Sequence, residues 1–236
     1  MKKFLSLSLV AAMALSTHAM AEEAAAAATE APSNAFSMSG NAAMTTNYLW
    51  RGWTYTNETP TGQAGLDFSN LFNIEGLYAG TWGSGITAGS EVDLYGGYSL
   101  ALSDALSIDV GTIYYFYTTD FISDPHKTTS YGEVYVTATF GDYSLSVYEE
   151  YDFDGTTAIA AATFGPVDVQ AGYYLVPSTS TSNALFGSAG INWPCMLDNS
   201  YNMNATVAYN NNAAANTVFA QKMGGAAFAL TISKDF

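Results

Sequence analysis

A chain of 236 residues with 6 basic and 21 acidic side chains carries a formal charge of −15 and holds one cysteine. Nucleic acid demands a basic surface, so this balance excludes it as a partner. The lone Cys195 excludes an internal disulfide, although an exported compartment would permit one.

The N-terminus opens with Lys2 and Lys3, the mostly apolar run Phe4 to Leu15 and the small-residue stretch Ala19-Met20-Ala21. That order predicts a secretory signal peptide over residues 1–21, cut after Ala21. The run is shorter than the ~20 apolar residues of a spanning helix, and no other stretch supplies one. Entry into a membrane would therefore use strands. Removal of the leader leaves 4 basic against 21 acidic residues, a formal −17. Residues 22–35 are rich in Ala, Glu, Pro and Ser, with no apolar period to bury, and are predicted to be a disordered lead-in.

From residue 36 to 236 the chain is read best with a period of two. At the C-terminal end Phe228, Leu230 and Ile232 alternate with Ala227, Ala229, Thr231 and Ser233; earlier, Val134, Val136 and Ala138 alternate with Glu133, Tyr135 and Thr137. This is the pattern of strands with one face on lipid and the other on a lumen. Strands are predicted at 36–51, 62–69, 75–84, 90–102, 105–117, 130–140, 143–151, 156–164, 167–176, 183–193, 201–210 and 226–236. A soluble all-β protein would set many Lys and Glu residues on its polar face. Here that face is Gly, Ser, Thr, Tyr, Asn and a few acids.

The predicted fold is all-β, a transmembrane antiparallel up-and-down β-barrel of about twelve strands spanning 36–236. The connections tend to alternate in length. Asn70 to Ile74, Ser103-Asp104, Gly141-Asp142 and Gly165-Pro166 are tight, with only Pro194 to Ser200 longer on that side, and Gly52 to Thr61, Thr118 to Thr129 and Asn211 to Gly225 are long. Such a barrel would sit in the outer membrane of a Gram-negative cell. Its partners would be outer-membrane lipid and lipopolysaccharide, small solutes, and the barrel-assembly machinery, which the terminal Phe236 would address. Trp50, Trp53, Trp82 and Trp193 fall near predicted strand ends, where amphipathic rings mark the membrane interfaces; the alternative is that they are core aromatics.

Three segments carry a family resemblance. Asn47-Tyr48-Leu49-Trp50-Arg51-Gly52, then Gly76-Leu77-Tyr78-Ala79-Gly80-Thr81-Trp82, then Glu91-Val92-Asp93-Leu94-Tyr95-Gly96-Gly97-Tyr98 resemble the TorF-type porins, with Tyr131-Gly132-Glu133-Val134-Tyr135 fitting the same pattern. The resemblance covers about the first half of the barrel and implies a porin-like fold.

Any function should lie in the lumen, so the charged residues on lumen parity are the candidates. Arg51, the one arginine, shares parity with Asn41, Thr45 and Asn47, and Glu91, Asp93, Glu133 and Glu150 lie toward the outer strand ends. Asp67, Asp109 and Asp168 fall nearer the periplasmic end. Two readings stand open: a constriction favouring cations through concentrated acidic side chains, or an arginine that compensates enclosed acids and helps fill the barrel. Catalysis is not expected, since the mature chain has only His126 as a base and no nucleophile set around it. No cofactor is expected either. Asp120, Asp124 and His126, and the turn Asp152-Phe153-Asp154-Gly155, lack a full set of metal ligands at known spacing. The leading expectation is passive diffusion of small solutes with a preference for cations; the alternative is a closed barrel with a surface-binding or structural role.

Overall fold

The computed structural model describes residues 35–87, 89–118, 130–151, 155–175, 183–211 and 225–236. The predicted signal peptide and nearly all of the lead-in fall outside them, as do Asp120, Asp124, His126, Asp152 and Asp154.

Twelve antiparallel strands close into one barrel: β1 (Ser37–Thr45), β4 (Thr61–Ser69), β5 (Leu77–Ile86), β6 (Gly89–Ala101), β7 (Leu106–Tyr117), β8 (Tyr131–Phe140), β9 (Tyr143–Glu150), β10 (Thr156–Phe164), β11 (Val167–Leu175), β12 (Ala184–Pro194), β13 (Asn202–Asn210) and β14 (Gly225–Asp235). Sequential strands pair throughout, and β1 pairs with β14 from Asn41↔Asp235 to Thr45↔Thr231. Phe236 completes the seam: Gly40 N–H donates to its carbonyl at 2.8 Å and its own N–H to that of Gly40 at 2.9 Å. The barrel sheet has no open edge, which is what a sheet needs in a medium without water.

The alternation decides which way each side chain points. Val136, Val147, Leu94, Val207 and Phe228 face outward and are exposed, while their neighbours Glu133, Thr137, Ser146, Asp93 and Thr206 are buried inside. Apolar residues outside and polar residues inside invert a soluble protein and fit a barrel solvated by lipid. Exposed Phe140, Tyr143 and Phe164 ring the end that bears the tight turns, and Phe116, Tyr151, Tyr173 and Tyr209 ring the other. The girdles are thus mainly Tyr and Phe; of the four Trp residues expected there, Trp193 lies at the tight-turn end of β12 on the outward parity of Leu185 and Ile191. Trp50 and Trp82 are buried within the barrel instead.

The second correction concerns the first strand. β1 stops at Thr45, six residues short of the predicted end, and the chain turns inward. Residues 46–60 carry a small hairpin of β2 (Leu49–Trp50) and β3 (Trp53–Thr54), of which 47–56 are enclosed by the barrel and 57–60 are exposed.

Candidate functional site

The hairpin is specified locally. Its strands pair at Trp50↔Trp53, so Arg51 and Gly52 are the two turn residues, with φ of 47° and 79°. Positive φ at both positions is the primed turn that suits the twist of a hairpin. Gly52 is also required by space, since a Cβ there would meet the Tyr209 carbonyl oxygen at 2.5 Å. Asn47 knits the base. Its Oδ1 accepts from Thr54 Oγ1 at 2.5 Å, Thr56 Oγ1 at 3.1 Å and Glu58 N–H at 3.3 Å, and its Nδ2 donates to the Phe228 carbonyl at 3.3 Å. Tyr48 N–H donates to Thr56 Oγ1 at 2.9 Å, and Tyr55 N–H to the Tyr48 carbonyl at 2.8 Å.

The hairpin crosses the barrel and meets the wall on most sides. Tyr48 packs on Trp82 of β5 at 5.4 Å between ring centroids, Trp50 on Tyr115 of β7 at 6.2 Å, and Trp53 on Tyr174 of β11 at 6.0 Å. Leu49 packs against Ala208 of β13 and Ala229 of β14. Asn210 Nδ2 donates to the Arg51 carbonyl at 3.1 Å.

At its tip Arg51 makes a two-pronged contact with Glu133 of β8, Nη1 to Oε1 at 2.7 Å and Nη2 to Oε2 at 2.9 Å. Nη1 also donates to Thr157 Oγ1 of β10 at 3.1 Å, and the guanidinium lies over the rings of Trp50 at 4.3 Å and Tyr148 at 4.8 Å. Tyr115 donates to Glu133 Oε2 at 2.8 Å. Planar ion pairing combined with ring stacking is a use of arginine that lysine cannot reproduce.

The candidate acids all face inward, and Arg51, on the hairpin and not on strand one as expected, meets one of them. Glu91, Asp93, Asp109 and Glu150 are buried in the wall. Glu91 accepts from Tyr117 at 3.3 Å and Glu150 from Tyr174 at 3.3 Å. Asp109 accepts from Tyr78 at 2.8 Å, and Tyr78 in turn bonds Tyr135. Nearer the tight-turn end, Asp67 accepts from Tyr95. Asp168 there accepts from Thr163 Oγ1 at 2.8 Å and Asn192 Nδ2 at 2.6 Å. The two described basic residues are Arg51 and Lys234, and Lys234 sits at the tight-turn end, over the Tyr201 ring at 4.8 Å. The described interior therefore holds one cation, already engaged, and several carboxylates. The tyrosines that serve these acids escaped the sequence reading, although 17 of them in the chain was a signal of it.

The fold is a closed twelve-stranded antiparallel barrel with an apolar exterior, a polar interior and an inward segment, an architecture similar to that of solved porins. Among solved structures the chain is similar to the KdgM porin, with a TM-score of 0.52 at 10% identity over 84% of this chain and 99% of that one. KdgM solved in complex with disordered oligogalacturonate gives a TM-score of 0.51 at 9% identity over 84% and 98%. The NanC porin gives 0.50 at 10% identity over 84% and 99%. The chain belongs to the Gcw_chp family, described as bacterial proteins of unknown function, whose model matches residues 28–221. No curated protein matches it. The family shown is thus Gcw_chp, and the porin likeness is one of fold; neither comparison names the TorF-type porins.

Proposed function

We propose that this protein is an outer-membrane channel for passive diffusion of small solutes, with cations preferred, in which residues 46–60 form the constriction. The observation that carries this is the charge of the interior. Glu91, Asp93, Asp109 and Glu150 line the wall and the one described interior cation, Arg51, is held by Glu133. Carboxylates concentrated in a confined low-dielectric space attract cations and repel anions. An anionic polymer such as the oligogalacturonate bound by KdgM is a poor substrate for such a lining; small neutral or cationic solutes suit it. The sequence resemblance to TorF-type porins and the predicted signal peptide are in keeping with the same reading.

One observation favours the alternative, a closed barrel with a structural or surface-binding role. The hairpin reaches β5, β7, β8, β10, β11, β13 and β14, and Tyr48 and Glu133 are all but unexposed. In the channel reading solutes pass when the hairpin leaves the wall or beside it. Planar-bilayer recording of the mature protein decides between them. The channel reading expects stepwise currents whose reversal potential in a salt gradient marks cation preference, with that preference reduced in Glu150→Gln. A folded, inserted and silent barrel, or one that prefers anions, overturns it.

A further inference from the structure

Among the described residues, four buried polar atoms without a hydrogen-bond partner are neighbours on one patch of inner wall: Gln63 Oε1, Trp82 Nε1, Glu91 Oε2 and Asp93 Oδ1. The register brings them together. Gln63 of β4 stands opposite Ser84 of β5, Ser84 stands opposite Glu91 of β6, and Trp82 stands opposite Asp93. Directly opposed side chains on one face are about 5 Å apart at Cβ. Ser84 is short, and the longer Gln63 and Glu91 side chains flank it on the two neighbouring strands. The Ser84 hydroxyl donates to the Gly85 carbonyl at 2.9 Å and accepts from Gln63 Nε2 at 3.4 Å. That leaves the Gln63 carbonyl oxygen buried and without a partner, one strand removed from the carboxylates.

Glu91 and Asp93 are two residues apart on the same face, 1% and 5% exposed, and the one described interior cation is already paired with Glu133. Two buried carboxylates without a counter-charge are expensive, and their burial is sustained by protonation, by pairing or by a metal; Tyr117 serves one oxygen of Glu91 and leaves the other, with Asp93 Oδ1, unserved. No group of three His, Cys, Asp or Glu side chains able to hold a metal occurs among the described residues; here the third donor is an amide oxygen. Two carboxylates, deprotonated when an ion binds, and an amide carbonyl are hard oxygen donors, the chemistry that takes calcium in irregular geometry, whereas magnesium demands a near-ideal octahedron.

We propose that Gln63, Glu91 and Asp93 bind a divalent cation of calcium's size on the inner wall, beside the hairpin. The Trp82 indole N–H, opposite Asp93, donates to a water in the ion's shell. Occupancy does not require conduction, so this site stands or falls apart from the channel reading.

The test is terbium titration of the full mature protein, refolded in detergent and stripped of divalent ions, with luminescence sensitised by Trp82. A saturable component is expected that calcium displaces and magnesium displaces poorly. Affinity for that component should fall at least about tenfold in Glu91→Gln/Asp93→Asn, because affinity follows the number of charged ligands, and should be unchanged in the surface variant Asp198→Asn. Equal titrations of the wild type and the double variant, or no displacement by calcium, overturn the proposal. Gln63→Glu is the second arm should the double variant not fold. It adds a charged donor and tightens the site about tenfold. Were the amide turned so that its NH2 serves a carboxylate, Gln63→Glu would lower stability at every calcium concentration, and that outcome also overturns it.

Discussion

Arg51→Met is the substitution that isolates the hold of the hairpin on the wall. The thioether side chain keeps an apolar stem between Trp50 and Tyr148 but removes the guanidinium that meets Glu133, where the two side chains are 7% and 0% exposed. Breaking a buried pair leaves a charge stranded, at a cost of about 3–5 kcal/mol. Tyr115 continues to donate to Glu133, so we expect the low end, about 3 kcal/mol, or roughly a 150-fold change in equilibrium at 1.4 kcal/mol per tenfold. Removing both charges in Arg51→Met/Glu133→Gln should return stability to within about 1 kcal/mol of the wild type, because the stranded carboxylate is gone. The assay is urea unfolding in lipid vesicles followed by tryptophan emission, since Trp50, Trp53 and Trp82 report on the hairpin cluster. In the bilayer, the single variant should also raise mean conductance as the tip leaves β8. A coupling energy below about 0.5 kcal/mol in the double-mutant cycle would refute the pair as the latch.

Other substitutions probe the same architecture. Gly52→Ala places a Cβ against the Tyr209 carbonyl in a left-handed backbone, and should weaken hairpin docking by about 2 kcal/mol or more in the same unfolding assay. Asn47→Ala removes the acceptor shared by Thr54, Thr56 and Glu58, and buried hydroxyls left unserved should cost about 1–3 kcal/mol; protease cleavage within 46–60 is the direct readout. Val136→Arg, on the exposed outer face near mid-strand, should destabilise the barrel in vesicles by about 2–4 kcal/mol, and a neutral effect would argue against a lipid-facing surface. At the tight-turn end, Asp198 accepts the Ser200 N–H at 2.9 Å, which holds its carboxyl below the usual range. Its contribution is present at neutral pH and disappears as pH falls through that lowered value, and Asp198→Asn should flatten this acid-side component in an unfolding series across pH.

The barrel was legible because alternation is enforced on every strand by two different solvents. Strands β4 and β6 to β14 begin and end within a residue or so of expectation, since lipid demands Val, Leu and Phe on one side and the interior accepts Thr, Asn and acids on the other. β5 carries almost only small residues in Ala79, Gly80, Thr81 and Gly83, so neither face declares itself and Trp82 was assigned to the membrane interface when it points inward. The inward hairpin was hidden for a related reason. Asn47, Leu49 and Arg51 continue the same parity as Asn41 and Thr45, because a hairpin strand has the same period as the barrel strand before it. What distinguished it was the density of Asn, Thr and Gly from 45 to 62 and the Arg51-Gly52 turn, which mark a chain reversal. The meeting of Arg51 with carboxylates followed from parity, but the choice of Glu133 depends on a hairpin reaching across the barrel, which no local pattern encodes.

The seam between β1 and β14 also constrains the order of construction. Segment 46–60 is made early, yet the surfaces that receive it belong to strands as late as β14, and Asn47 waits for Phe228 some 181 residues downstream. Contacts so distant in sequence carry the largest loop-closure cost and form last. The molecule must therefore be completed around its own beginning: an unfinished sheet would hold an exposed cluster of Tyr48, Trp50 and Tyr55 with only part of its enclosure, and sealing Gly40 to Phe236 shuts that cargo inside.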